Sequence, residues 1–306
     1  MESSPGRIKV LLAFAAIYII WGSTYFGVHL ALKSFPPFLL TALRLLIAGI
    51  ALFIFCIIRK EPFPAAADIT QNALWGLAIF IGGVLAVVWA QQFISSSLAS
   101  TIITTPFWFI VLDKRQWKFY FSSKWIISGL VMGLLGVILL MGYKKGRAGN
   151  GSEMMQLIAI LTMVTGSCFW VVGSLFLRYH PSATSLYVST TIQLLSAGIV
   201  CLLLSFATGE LSQFSISNIH INSIIALLYL AIVSSLITFL AYVWLIKVRP
   251  PAMVSTYSYI NPLVATLLGW AFAGENILPI QLVALLIILI GVFLVNVPRY
   301  QFLKRK

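Results

Sequence analysis

Apolar residues in this chain come in unbroken runs of about 20, one after another from end to end, and that spacing restricts the fold more than any single motif. The run "LLTALRLLIAGIALFIF", residues 39 to 55, has no two-residue alternation of the kind a half-buried strand shows. A helix rising about 1.5 Å per residue needs roughly 20 such residues to cross a hydrocarbon core roughly 30 Å thick. Comparable runs occupy residues 9–32, 37–58, 72–92, 96–112, 125–143, 154–177, 184–207, 223–246, 252–273 and 279–297, which predicts an all-α polytopic membrane protein of ten transmembrane helices. With 60% hydrophobic and 9% charged residues, the chain has no room for a soluble domain. A membrane β-barrel would instead show segments of about 10 alternating residues. The first run is too long for a signal peptide and leads into "SFPP" without a small-residue cleavage site, so it reads as a helix.

Basic residues near helix ends orient such a protein. With ten crossings and the amino terminus inside, fifteen Lys and Arg fall on the cytoplasmic side, among them Arg7, Lys9, Arg59, Lys114, Arg178, Arg249 and Lys306, against four (Lys33, Lys144, Lys145, Arg147) on the other. Both termini are therefore expected in the cytoplasm. The net charge of +13 then reflects basic loops meeting anionic headgroups rather than nucleic acid, for which no soluble basic module exists. Cys56, Cys168 and Cys201 are dispersed within apolar runs, and His29, His180 and His220 show no metal-ligand spacing, so no disulfide framework, metal site or cofactor is expected. Neither HExxH nor GxSxG occurs, which argues against an intramembrane enzyme. A channel's charged ring or repeated carbonyl loop is likewise missing from the sequence.

The chain also echoes itself. At an offset of 149, "TALRLLIAGI" (41–50) lies over "TTIQLLSAGI" (190–199), and Trp21 lies over Trp170. At slightly larger offsets "ASTIITTP" faces "VSTYSYINP", and Gly136-Val137 faces Gly291-Val292. This divides the chain into two five-helix repeats, residues 1–148 and 149–306. Five is odd, so the second repeat is inverted relative to the first, an arrangement in which the solute site lies near the bilayer midplane between repeats.

"WGSTYFG", "LRLLIAG", "ASTIITTPFWFIVLD" and "MVSTYSYINPLVATLLGWAFAGE" together resemble the EamA family of the drug/metabolite transporter superfamily, over essentially the whole chain. The resemblance implies a ten-helix transporter of the inner or plasma membrane, usually an exporter of amino acids or other small metabolites. It also implies a central cavity lined mainly by the first, third, fourth, sixth, eighth and ninth helices. One departure stands out: where the first repeat would carry Gly-Glu after its fourth helix, this chain has Phe119-Tyr120 within "KRQWKFYF", while the second keeps Gly274-Glu275.

Helical spacing places Tyr18, Trp21, Tyr25 and His29 on one stripe of the first helix. Trp89 pairs with Gln92 on the third; Thr101, Thr104, Thr105 and Trp108 gather around Pro106 on the fourth; Ser235, Thr238 and Tyr242 share a face of the eighth; Tyr257 and Asn261 precede Pro262 on the ninth. Polar groups in lipid seek the protein interior or a wet cavity, because an unpaired one in hydrocarbon is costly. The expected solute-binding set is thus Trp21, Tyr25, Trp89, Gln92, Thr105, Trp108, Trp170, Tyr242, Tyr257 and Asn261, with structural hydrogen bonding between helices or interfacial anchoring as the alternative for each. Pro106 and Pro262 each remove a backbone donor and read as hinges or fixed kinks.

Arg44 stands alone as a charge deep in an apolar run. It lies about 12 Å inside its helix, where a cation costs a few kcal/mol. Its repeat mate is the neutral Gln193, and no acidic residue falls mid-span: Asp113 and Glu275 are at helix ends. Arg44 either attracts or gates an anionic group such as an amino-acid carboxylate, or snorkels outward and ties the second helix to its neighbours; Glu275 is the one acid expected within its reach. The expected function is secondary transport, in the export direction, of small organic metabolites by alternating access. Multidrug efflux or sugar and nucleoside permeation are the alternatives on the same fold. The partners are a small-molecule substrate and the lipid bilayer, with a proton or counter-substrate as the open coupling choices.

Overall fold

The computed structural model describes residues 6–94, 96–102, 105–142, 152–180, 182–273 and 279–304. Single turns aside, its helices are α1 (Arg7–Ala31), α2 (Pro37–Ile58), α3 (Ala66–Ala90), α4 (Ser96–Ile102), α5 (Thr105–Leu112), α6 (Trp117–Ser122), α7 (Lys124–Gly142), α8 (Glu153–Tyr179), α9 (Leu186–Ala207), α10 (Ile221–Val248), α11 (Tyr257–Ala273) and α12 (Pro279–Lys304). No strand occurs among the described residues. Six of these helices, α1, α2, α3, α8, α9 and α10, are each long and apolar enough to cross a membrane; α6 with the start of α7 makes a seventh candidate span, bent by 97°. Ile50, Phe53, Ile54, Leu203, Phe206, Leu286 and Phe293 face outward, an apolar surface suited to lipid rather than water.

Helix starts follow from local chemistry. Ser152 and Ser185 accept hydrogen bonds from the backbone N–H groups of Met155 and Val188, capping α8 and α9. At α2 the chain enters through Pro36-Pro37, and a proline in the first turn removes a donor that would have no helical partner anyway. Its next two free donors are met from far along the chain: Phe38 N and Leu39 N donate to the Glu210 carboxylate at 3.1 and 2.8 Å. Negative charge at a helix N-terminus is also favoured by the helix dipole.

Two long helix pairs meet through glycines. In α2 and α9, a β-carbon added at Gly49 would stand 2.7 Å from Leu195, and one added at Gly198 would stand 2.9 Å from Leu46. Each contact maps onto the other through the 149-residue offset. In α7 and α12 the same reciprocity appears: Gly136 meets Ile288 and Gly291 meets Gly133, with added β-carbons at 2.6 Å in both cases. In each pair a lower number on one helix meets a higher number on the other, so the partners run antiparallel. At the first crossing leucine side chains fill the space beside the glycines, and at the second the backbones themselves approach closely.

Both α3 and α10 change their winding midway. Residues Ala78–Leu85 and Tyr229–Thr238 are π-helical, bonding i to i+5, while the segments before and after them are ordinary α-helix. The first π stretch packs on α8, the second on α1 and α2, so each abuts the region where the tryptophans of α1 and α8 meet.

Candidate functional site

Trp21 and Trp170, one on α1 and one on α8, stack edge to face with ring centroids 5.4 Å apart and planes at 83°. Tyr242 and Tyr257 close on Trp21 at 5.0 and 4.8 Å. Gly83, in the π stretch of α3, makes room for this cluster: a β-carbon there would lie 2.7 Å from the Trp170 ring. Tyr242 is fully buried behind the pair, its Oη accepting from Trp170 Nε1 at 3.0 Å and bonded to Ser174 Oγ at 2.6 Å. Those bonds orient Trp170 and fix one wall.

The wall bounds a cavity of about 100 Å³. Trp21, Tyr25, Trp170, Tyr257 and Asn261 line it, and so does Arg44. Tyr25 of α1 and Asn261 of α11 face this cavity together. Arg44 does not snorkel: it is 5% exposed, with Nε donating to Ser235 Oγ at 3.0 Å and Nη2 to Ser234 Oγ at 3.2 Å. Two neutral hydroxyls on the π stretch of α10 thus hold the cation in place without neutralising it. No carboxylate pairs with it among the described residues, and Glu275 lies outside them.

Other predicted residues fall elsewhere. Trp89 faces a lateral groove with Phe169, not the cavity. Gln92 turns back on its own helix, Nε2 donating to the Trp89 carbonyl at 3.1 Å, and borders a second, larger cavity of about 440 Å³. Of the two adjacent glutamines, Gln91 lines both cavities. The cause is local: α3 ends at Ala90, so α-helical spacing from Trp89 does not carry on to the glutamines. Trp108 is half-buried against the core around Trp21 and lies outside the cavity lining. Pro106 is the second residue of α5, whereas Pro262 is interior to α11. The Thr105 side chain, like Thr101 and Thr104, lies outside the described residues.

Sequence spacing also missed Thr24, Gly83, Ser167 and Ser234 in the lining. Gly83 and Ser167 sit in runs where small residues look like helix-packing sites, and only Ser234, beside the noted Ser235, carried a usable hint.

At the Arg7 end of the bundle a hydrogen-bonded knot lies beyond the aromatic cluster. Asp113, after α5, is 1% exposed; its two oxygens accept from Tyr120 Oη at 2.8 Å and Tyr179 Oη at 2.7 Å. Arg115 lies over the Tyr179 ring at 4.5 Å, and Arg178 donates to the carbonyls of Ile246 and Arg249. Through these contacts α5, α6, α8 and α10 are tied at one end. The opposite end holds the larger cavity, bordered by His29, Lys33 and Gln92.

Comparison with known proteins gives a consistent result. The EamA-like transporter family matches the chain twice, over residues 7–142 and 157–297. An "Uncharacterized inner membrane transporter YedA" of Escherichia coli (strain K12) is 32% identical over 292 residues, covering 95% of this chain and 91% of that one. "Uncharacterized transporter YdfC" of Bacillus subtilis (strain 168) is 23% identical over 88% of this chain and 84% of its own. A solved crystal structure superposes with a TM-score of 0.74 over 97% of this chain and 99% of the other at 18% identity, a likeness of fold. An all-helical chain with an aromatic, cation-bearing cavity among membrane-length helices, matched by one family over both of its parts, belongs to the EamA-like transporter family of membrane proteins.

Proposed function

We propose that this protein is a secondary transporter of small organic metabolites, amino acids or related amphiphilic solutes, working by alternating access around the Trp21–Trp170 cavity. The observation that carries this reading is Arg44: a buried cation, held by two serine hydroxyls, facing a cavity with aromatic walls. Burying a charge that way is costly unless an anion visits. A solute carboxylate on Arg44 with an apolar side chain against Trp21, Trp170 and Tyr257 fits this combination.

Alternating access needs two units that can rock. In this reading ten crossings form two inverted five-helix repeats, residues 1–148 and 149–306. The reciprocal contacts of α2 with α9 and α7 with α12 support it, since equivalent helices that run antiparallel are related by a twofold axis across, not along, the helices. Trp21 and Trp170, mates in the repeat, touch each other as residues near such an axis would. The Asp113 knot then closes the cytoplasmic end while Gln91 stands between the solute site and an outer vestibule. Both termini lie in the cytoplasm, transport runs outward, and Pro106 and Pro262 serve as hinges with Glu275 at the outer corner.

The test is counterflow in proteoliposomes with labelled amino acids, sugars and nucleosides. Saturable exchange of an amphiphilic anion or zwitterion is expected. Flux that does not saturate for any of these solutes would make the protein a channel and end the proposal. Tags at the two termini that label from opposite sides would remove the inverted-repeat topology.

A further inference from the structure

Gln91 has no structural task that the fold reveals. It follows the last turn of α3, is 9% exposed, and neither its Nε2 nor its Oε1 has a hydrogen-bond partner among the described residues. An orphaned amide in a protein interior is destabilising, because each group loses water and gains nothing. Its neighbour Gln92 shows the ordinary alternative, folding back to bond the Trp89 carbonyl. The second orphan at this cavity is Asn261 Oδ1, on a residue 2% exposed. Both amides line the chamber that holds Arg44, and Gln91 also borders the larger cavity, so it faces both chambers.

We infer that Gln91, with Asn261, is the specificity-determining element of the site, its free carbonyl oxygen receiving an N–H donor from a solute whose carboxylate rests on Arg44. This rests on the transport reading above and sharpens it. Arg44 by itself accepts any organic anion of suitable size. Unpaired acceptors add a demand for a donor, because a solute without one leaves them buried and unsatisfied, and sites built around such groups reject analogues that lack the matching atom. The solute is thus required to carry a hydrogen-bond donor beside its carboxylate, which the ammonium group of an amino acid supplies.

The probe is labelled L-leucine, with 4-methylpentanoate, the same carbon skeleton without the amine, as competitor in counterflow by the purified full-length protein in liposomes. Wild type is expected to prefer leucine by at least ~10-fold in half-saturating concentration. In Gln91→Leu that preference falls to within about threefold, through weaker leucine binding with a smaller change in maximal rate. The same variant, without solute, melts higher than wild type by ~2 °C or more, since an orphaned amide has been replaced by an apolar group of similar shape. Gln193→Leu removes a buried glutamine outside the cavity lining and keeps the wild-type preference. If Gln91→Leu retains that preference, or melts lower, the amide is a structural element and the inference fails while the transport reading survives. If wild type shows no saturable leucine flux, the transport reading for amino acids fails and this inference with it.

Discussion

Arg44 and Gln193 occupy equivalent places in α2 and α9, helices that otherwise repeat each other residue by residue around Leu45-Leu46 and Leu194-Leu195. The arginine faces the cavity and bonds Ser234 and Ser235 of α10. The glutamine, fully buried, donates Nε2 to Asn72 Oδ1 of α3 at 3.2 Å and does not line the Trp21 cavity. Both therefore bridge to the helix that bears a π stretch, but only one bridge carries charge. Of the two positions matched by this offset, one packs against α3 while the other places a cation at the chamber wall. The two helices match where their glycines meet the partner's leucines and differ where the cavity lies.

Corners after the fifth and eleventh helices differ in a similar way. The first places Tyr120 against Asp113, so a phenol bonding a buried carboxylate stands where the family resemblance led one to expect Gly-Glu. Gly274-Glu275, at the other corner, lies outside the described residues.

The comparison can be broken by exchanging the two side chains. The largest effect is expected from Gln193→Arg, which buries a cation beside Asn72 with no cavity or serine pair to receive it; stability falls by about 3 kcal/mol or more, read as a lower melting temperature. Unchanged melting would show that the two positions are interchangeable. Arg44→Leu is expected to reduce solute exchange roughly 100-fold, the loss of a charge-assisted carboxylate contact of about 3 kcal/mol. Its melting temperature should stay near wild type, because Ser234 and Ser235 can turn their hydroxyls to helix carbonyls. Full exchange by Arg44→Leu, or by Arg44→Gln with lowered stability, would reduce the arginine to a tie between α2 and α10.

Asp113→Asn comes next. A neutral amide keeps one acceptor for the two tyrosines, so both bonds lose their charge assistance and one must reverse or break, weakening the Arg7 end by about 1–2 kcal/mol. Spin labels at the exposed positions Lys114 and Lys247 should report longer and broader distances than in wild type; an unchanged distribution would separate the knot from gating. The smallest effect is expected for Gln193→Leu. It removes an orphaned Oε1 but leaves Asn72 Oδ1 without its donor, so stability changes by less than about 1 kcal/mol in thermal melts, with exchange unaltered.

Much of the site could be read along the chain, and the part that could not has a specific cause. Trp21 and Tyr25 fall together on the cavity side of α1 because a helix without interruption keeps its phase, and Tyr257 with Asn261 do so on α11 for the same reason. Trp170 could be found through the repeat with Trp21. Gln91 could not, because α3 ends at Ala90 and helical spacing does not extend past it. Tyr242 was found as a polar aromatic, yet whether it lines the cavity or braces Trp170 depends on which hydroxyl lies within reach, Ser174 Oγ at 2.6 Å.

By itself the sequence determined the solvent of this protein and the character of its elements. Long apolar runs can satisfy their backbone groups in lipid only as helices, and the recurrence of a pattern at a fixed offset is visible without coordinates. The tertiary structure decided what a lone arginine meets, which of two adjacent glutamines turns inward, and at which end of the bundle side chains tie the helices together. Those outcomes depend on neighbours distant along the chain, such as Ser234 for Arg44 and Tyr179 for Asp113, and on helix winding that a regular period does not encode.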